Sequence, residues 1–251
     1  MRRTWTRWGA VAVAAVGVAA AVAAAGRRRA AAAVLVLSLE RHRHRRERLR
    51  AQAAGLTFVT AVDGRHLTET LPGLTRGEQA CLYGHVGMWL RISAGAAGGG
   101  AAGGGAAGGE PVLVLEDDAD VRLPADWGRV RAALPPAGTW DVVYLGYNNR
   151  PRLAGPPAAG GARRVAEGSD VWGTHALMLT PGAAAKLLDA YAETEGRDPA
   201  GIEGPGPAGG EGKGLPVDVW MSRVPGLRRW CAVPSLVRPF DVDDSETQRV
   251  R

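Results

Sequence analysis

The chain has 251 residues, enough for one sizeable α/β domain with a core of its own. Its 46% hydrophobic content is that of an ordinary globular protein. The net charge of +6 comes almost wholly from arginine, since Lys186 and Lys213 are the only lysines. With the excess of Ala and Gly this looks like a coding bias, so the basic balance does not argue for a nucleic-acid partner.

No acidic residue precedes Glu40. Arg2, Arg3 and Arg7 lead into an uncharged stretch from Trp8 to Gly26, and Arg27, Arg28 and Arg29 close it. As a helix that stretch spans roughly 28 Å, close to the thickness of a thin bilayer. Residues 1–32 therefore read as a signal anchor that would hold a type II protein in the membrane of the ER or Golgi, facing the lumen. Ala21, Ala23 and Ala25 equally fit a cleaved signal peptide, and an arginine-rich leader without acids fits an organelle transit peptide.

From residue 33 to the end the pattern is that of one domain. Ala33–Leu39 reads as a buried strand, Glu40–Ala54 as a charged helix and Leu56–Val62 as a second strand. Gly77–Ile92 follows as a helix with Ala80, Leu82, Tyr83, Val86, Trp89 and Leu90 on its apolar faces. Ser93 to Gly109 is almost pure Gly and Ala, and a flexible insertion is expected over 93–110. The third strand is Val112–Leu115. A short helix is expected over Pro124–Leu134, a fourth strand over Trp140–Gly146 and a fifth over Val171–Leu179. Pro181 opens a helix to about Glu193. A Gly/Pro loop fills 196–215, a short helix spans Pro216–Arg223, and Trp230–Val233 is the last strand. Strands alternating with helices predict an α/β fold with a mostly parallel central sheet. Cys81 and Cys231 would either pair in an oxidising lumen or stand as ordinary buried thiols.

The most informative stretch is Val112-Leu113-Val114-Leu115-Glu116-Asp117-Asp118-Ala119. Four apolar residues end in three carboxylates, at the carboxyl end of a strand where open α/β sheets bind ligands. Successive strand residues point to opposite faces, so Glu116 and Asp118 project one way and Asp117 the other. Two carboxylates about 4 Å apart repel by roughly 4 kcal/mol at an effective dielectric near 20. A hard divalent cation, Mn²⁺ or Mg²⁺, removes that repulsion and can hold the phosphates of a nucleotide. The plainer reading is a solvated acidic turn.

Several segments together resemble glycosyltransferase family 25, the lipopolysaccharide-type and procollagen-type galactosyltransferases. They are Val36–Arg41, Ala61–Gly64, Leu74–Cys81 with His85 and Trp89, Leu113–Ala119, Gly173–Ala176, Pro216–Asp218 and Val233–Val237, in the family's order. The likeness covers roughly residues 34–245. Gly84 departs from it, standing where the family usually has Ser, and so does the loosely matching Asp241–Ser245. No long second domain follows, so the chain is more similar to the single-domain, lipopolysaccharide type.

The resemblance implies a GT-A type nucleotide-sugar-binding sandwich, a UDP-sugar donor (most often UDP-galactose) and Mn²⁺. It also implies transfer to a glycan or glycoprotein hydroxyl with inversion. Asp118 and Glu116 are then the expected metal ligands, and Asp117 is expected on backbone or ribose. Asp218 is the expected general base, with an N-cap role for the helix beginning at Val219 as its plainer alternative. Glu40 and Arg41 are expected to meet the nucleotide, and His85 and His175 to position or touch the donor. Trp89 and Trp172 are expected in the core, and the rest of Arg41–Arg50 as a solvated helix face. A catalytically silent member that binds a sugar nucleotide or a partner glycoprotein is the competing reading. An arginine-rich nucleic-acid binder is disfavoured, because Arg41–Arg50 lacks interleaved aromatics.

Overall fold

The computed structural model describes residues 34–97, 110–120, 134–195 and 214–240. The leader over 1–32, the Gly/Ala insertion from residue 98, the helix expected from Pro124, the Gly/Pro loop up to residue 213 and Asp241–Ser245 lie outside the described residues. Among the described residues no helix is long and apolar enough to cross a membrane.

The architecture is α/β. Strand β1 (Val34–Ser38) is buried along its whole length, because it pairs in parallel on both sides, with β2 (Leu56–Thr60) and β3 (Val112–Glu116). An all-apolar run suits a strand covered on two faces. The eight-stranded sheet continues through β8 (Ala176–Leu179), β5 (Val142–Gly146), β9 (Arg229–Cys231), β7 (Arg163–Val165) and β6 (Leu153–Ala154). A separate two-stranded ribbon joins β4 (Ala119–Asp120) to β10 (Arg238–Pro239).

The expected parallel character holds only in part. Strands β7 and β8 run against the others, so pairing is antiparallel on both sides of β8 and of β7, and the sheet is mixed. A parallel return requires a crossover of a dozen or more residues, usually helical. Between β5 and β8 the chain instead makes the short β6–β7 hairpin and a loop. The expected fifth strand shrinks accordingly to Ala176–Leu179, and Val171 to His175 belong to that loop.

The helices are α1 (Arg43–Gln52), α2 (Arg76–Ala97), α3 (Pro181–Glu195) and α4 (Val217–Arg223), with one 3₁₀ turn at Gly64–His66. Helix α2 outruns its expected end at Ile92: Ser93 to Ala97 extend it, consistent with the high helix propensity of Ala. A box at its start fixes it, since Thr75 Oγ1 accepts from the Glu78 N–H while Glu78 accepts from the Thr75 N–H.

Strand alternation sorts the core into two layers. Leu35, Leu37, Val114, Tyr144 and Leu177 face α2, α3 and α4 in one cluster. Val34, Val36, Leu113, Leu115 and Leu145 face Leu49 of α1 and Trp140 in the other. Trp89 lies fully inside the first cluster, stacked on Trp220 at 5.6 Å between ring centroids, with Tyr191 edge-on to Trp220. Trp89 is a core residue, as expected; Trp172 is not, being 53% exposed on the loop before β8.

Candidate functional site

Topology alone brings the candidate residues together. Strands β1, β2 and β3 are parallel, so their carboxyl ends deliver Ser38–Arg45, Ala61–Gly64 and Glu116–Asp118 to one edge of the sheet. Strand β8 is reversed, so its amino end brings Thr174 and His175 to that same edge. A cleft opens there, lined among others by Arg41, Arg45, Cys81, Glu116, Asp117 and Asp118.

The three acids have three environments. Glu116 is the last residue of β3 and shares the parity of Val112 and Val114, so it faces α2. There the fully buried His85 places Nε2 3.0 Å from Glu116 Oε1. Thr174 Oγ1 donates to the same oxygen in a very short bond. Burial pushes the Glu116 carboxyl up, but the bonds from His85 and Thr174 outweigh it, and its pKa ends below the usual value.

Asp117 is the first residue of the turn after β3; its side chain keeps the opposite parity and faces α1. It accepts from Ser38 Oγ at 2.8 Å and Arg45 Nη1 at 2.9 Å, with His42 Nδ1 at 3.0 Å. Ser38 stands on the same face for the same reason, two residues beyond Val36. Arg48 donates to the Asp117 carbonyl at 2.9 Å. Burial raises the Asp117 carboxyl, yet the His42, Arg45 and Ser38 bonds hold it below its ordinary value. Asp117 is therefore committed to α1, whatever the backbone or ribose role expected for it.

Asp118 lies beyond the end of β3, in the turn that leads to β4, so the expected strand continuation through it does not occur. Its Oδ1 is buried without a hydrogen-bond partner among the described residues. Burial first, then the charges of Glu116 and Asp117, push its carboxyl up to about 7. Its backbone is held by the C-terminal ribbon, where β10 pairs with β4.

His175 turns Nε2 to the Val237 carbonyl at 3.2 Å, and burial lowers its pKa although the Glu116 charge opposes this. Its ring fits because Gly146 has no side chain: a Cβ there would fall on the imidazole and 2.7 Å from the Val237 carbonyl. Both histidines are buried; the His85 side chain meets Glu116, whereas that of His175 meets the Val237 carbonyl.

Asp218 sits in the first turn of α4, whose N-cap is Pro216. Its Oδ1 accepts from the Val219 N–H and its Oδ2 from the Gly173 N–H, both at 2.8 Å. It thus ties α4 to the Gly173 loop. Burial raises its pKa, with those two N–H bonds opposing. Asp218 does not line the cleft, but its charge acts on the Cys81 thiol, as do those of Glu116 and Asp118. Burial and these acids hold that thiol well above its usual range.

Glu40 is exposed on the turn after β1 and does not line the cleft. Arg41 does line it, paired in a very short contact with Asp63, which Arg65 also bonds. The helix Arg43–Gln52 is solvated on its outer side, where Arg43, His44, Glu47 and Arg50 are exposed, but not on its inner side. Arg45 is buried, and Arg46 and Arg50 lie over the Phe58 ring at 5.6 and 4.7 Å. Sequence reasoning missed Ser38, His42, Arg45, Cys81 and Thr174. A usable signal existed: His42, Arg45 and Leu49 recur at helical spacing, with charged groups in apolar positions. Cys81 and Cys231 are free thiols.

No family model matches the chain, and no curated protein matches it significantly.

Proposed function

We propose that the chain transfers a hexose, galactose in first place, from a UDP-sugar to a hydroxyl of a glycan or glycoprotein acceptor, with inversion. The observation that carries the reading is Asp118: a buried carboxyl with an unpartnered oxygen, beside Glu116, at the carboxyl ends of parallel strands. Such a carboxylate suits a cation, and Mn²⁺ or Mg²⁺ would be held by Asp118 with the second oxygen of Glu116. When bound, the ion would neutralise charge on the leaving diphosphate.

The chain's own residues supply the rest. His85 and Thr174 fix Glu116 in one rotamer, and the Asp117 clamp fixes the backbone between the two ligands. The guanidinium groups of Arg41 and Arg45 line the cleft where a diphosphate would lie. Asp218 takes the proton of the acceptor hydroxyl in this reading, and burial raises its pKa, the direction that strengthens a carboxylate as a base. Its two backbone N–H bonds favour the second reading, in which Asp218 is a structural tie and the chain binds a sugar nucleotide without transfer.

The deciding experiment gives the purified chain a panel of UDP-sugars with and without Mn²⁺, reading donor binding and release of UDP. Mn²⁺-dependent turnover of one UDP-hexose supports transfer. Mn²⁺-dependent binding without turnover supports the silent reading. Absence of any binding overturns both.

A further inference from the structure

Helix α2 presents Cys81 and His85 four residues apart, hence on one face. That face meets the end of β3 at Glu116. One ligand atom from each residue (the Cys81 sulfur, a His85 ring nitrogen and a Glu116 carboxylate oxygen) lies within 4.8 Å of the other two. We propose that these three side chains form a binding site for a thiophilic divalent cation, zinc by preference, distinct in chemistry from the Asp118 site and sharing only Glu116 with it.

The donor set argues for the metal. Sulfur, imidazole and one carboxylate make a borderline-soft set, whereas Mn²⁺ and Mg²⁺ favour oxygen alone. Three protein ligands with a fourth position left open is the pattern of a zinc site accessible to solvent or substrate. Cys81 and Glu116 line the cleft, so a cation has a path in. Ligands bonded at roughly 2.0–2.3 Å in a tetrahedron stand about 3.6 Å apart. The widest separation therefore has to close by about 1 Å, within reach of side-chain adjustment. The His85 ring is committed to nothing else, since Nε2 bonds Glu116 and Nδ1 has no partner among the described residues.

The proton balance is simple. The cation takes the place of the hydrogen bond between His85 Nε2 and Glu116 Oε1: a neutral His85 keeps its single ring proton on Nδ1 and offers the Nε2 lone pair. The Cys81 S–H bond breaks as the sulfur–metal bond forms, and that proton leaves to solvent. Bound zinc on one Glu116 oxygen would place a second positive charge beside the hard-cation site, so the two metals would weaken each other's binding. Cation binding at Cys81 does not depend on the transferase reading; only this mutual weakening does.

The test uses Co²⁺ as a coloured stand-in for zinc on the purified full chain after chelation. Expected are one equivalent of Co²⁺ bound, a thiolate-to-cobalt charge-transfer band and displacement by Zn²⁺ but not by equimolar Mn²⁺. The chain has two cysteines, so the band has two possible sources. Cys81→Ser should remove it, while Cys231→Ser should leave it. A folded His85→Gln should weaken Co²⁺ by at least the roughly 10–100-fold that losing an outer-sphere partner costs. No charge-transfer band at saturating Co²⁺ overturns the proposal, as does a band that survives Cys81→Ser. Mn²⁺-dependent UDP-sugar binding is measured separately, so its failure bears on the transferase reading alone.

Discussion

Replacing Asp118 by Asn should make the metal-free protein more stable at high pH. In the folded chain the carboxyl is pushed from 3.8 to about 7, by burial and by the charges of Glu116 and Asp117. An acid raised by folding carries no penalty below its unfolded value, where both states are protonated. The penalty grows between pH 3.8 and about 7 and is complete above that. At 1.36 kcal/mol per tenfold change it reaches roughly 4 kcal/mol. The Asn amide inherits a site where Oδ1 finds no partner, which costs about 1–3 kcal/mol. The net gain at pH 8 should be about 1–3 kcal/mol, and at pH 4 it should vanish or reverse. Urea unfolding with chelator at the two pH values measures this difference directly. A variant no more stable than its parent at pH 8, or a gain equal at both pH values, refutes the reasoning. Saturating Mn²⁺ should then stabilise the parent, by about 2.7 kcal/mol at one hundred times its Kd, and leave the variant unmoved.

Asp117→Ala should cost about 3–5 kcal/mol in urea unfolding, because it removes the buried carboxylate that pairs with Arg45 and bonds Ser38 and His42. A loss below about 1 kcal/mol would show that Arg45 re-solvates and that the clamp is weak. Gly146→Ala should cost about 1–3 kcal/mol through overpacking against His175 and the Val237 carbonyl. It should also displace the imidazole, an effect visible as a shifted His175 resonance in NMR; an unmoved resonance would mean that the backbone yields instead.

The parts of the fold legible in the sequence are those where one period runs unbroken. The apolar run Val34–Leu37 has no polar residue and lies as the doubly covered strand it suggests. The reversed β8 was hidden because its own residues, Ala176–Leu179, read the same in either direction. The clue lay upstream, in the absence of a helical period between Gly146 and Val171. The two- and three-residue strands β4, β6, β7 and β10 are too short to carry any period. Helix α1 was found, but its inward face was misread as solvated because that face is built from His42 and Arg45. Gly84, the departure from the family pattern, also has a local reason: a Cβ there would lie 2.8 Å from a methyl of Leu37.

The run Glu116-Asp117-Asp118 shows how backbone geometry alone can divide labour among like side chains. Glu116, the last residue of β3, faces α2, and Asp117, the first residue of the turn that follows, faces α1. Each meets donors placed by that helix: His85 on one side, His42 and Arg45 on the other. These bonds offset the desolvation of both carboxylates, so both ionise readily inside the protein. Asp118, past the end of the strand, belongs to neither face and receives no such donor at Oδ1. Its two neighbours, once ionised, raise the cost of charging it further. The ionised Glu116 and Asp117 thereby add to the electrostatic deficit at the third, which a divalent cation would relieve in the proposed reading. Removing the Asp117 charge itself, as in Asp117→Asn, should lower the pKa of Asp118 and the affinity for the proposed ion together.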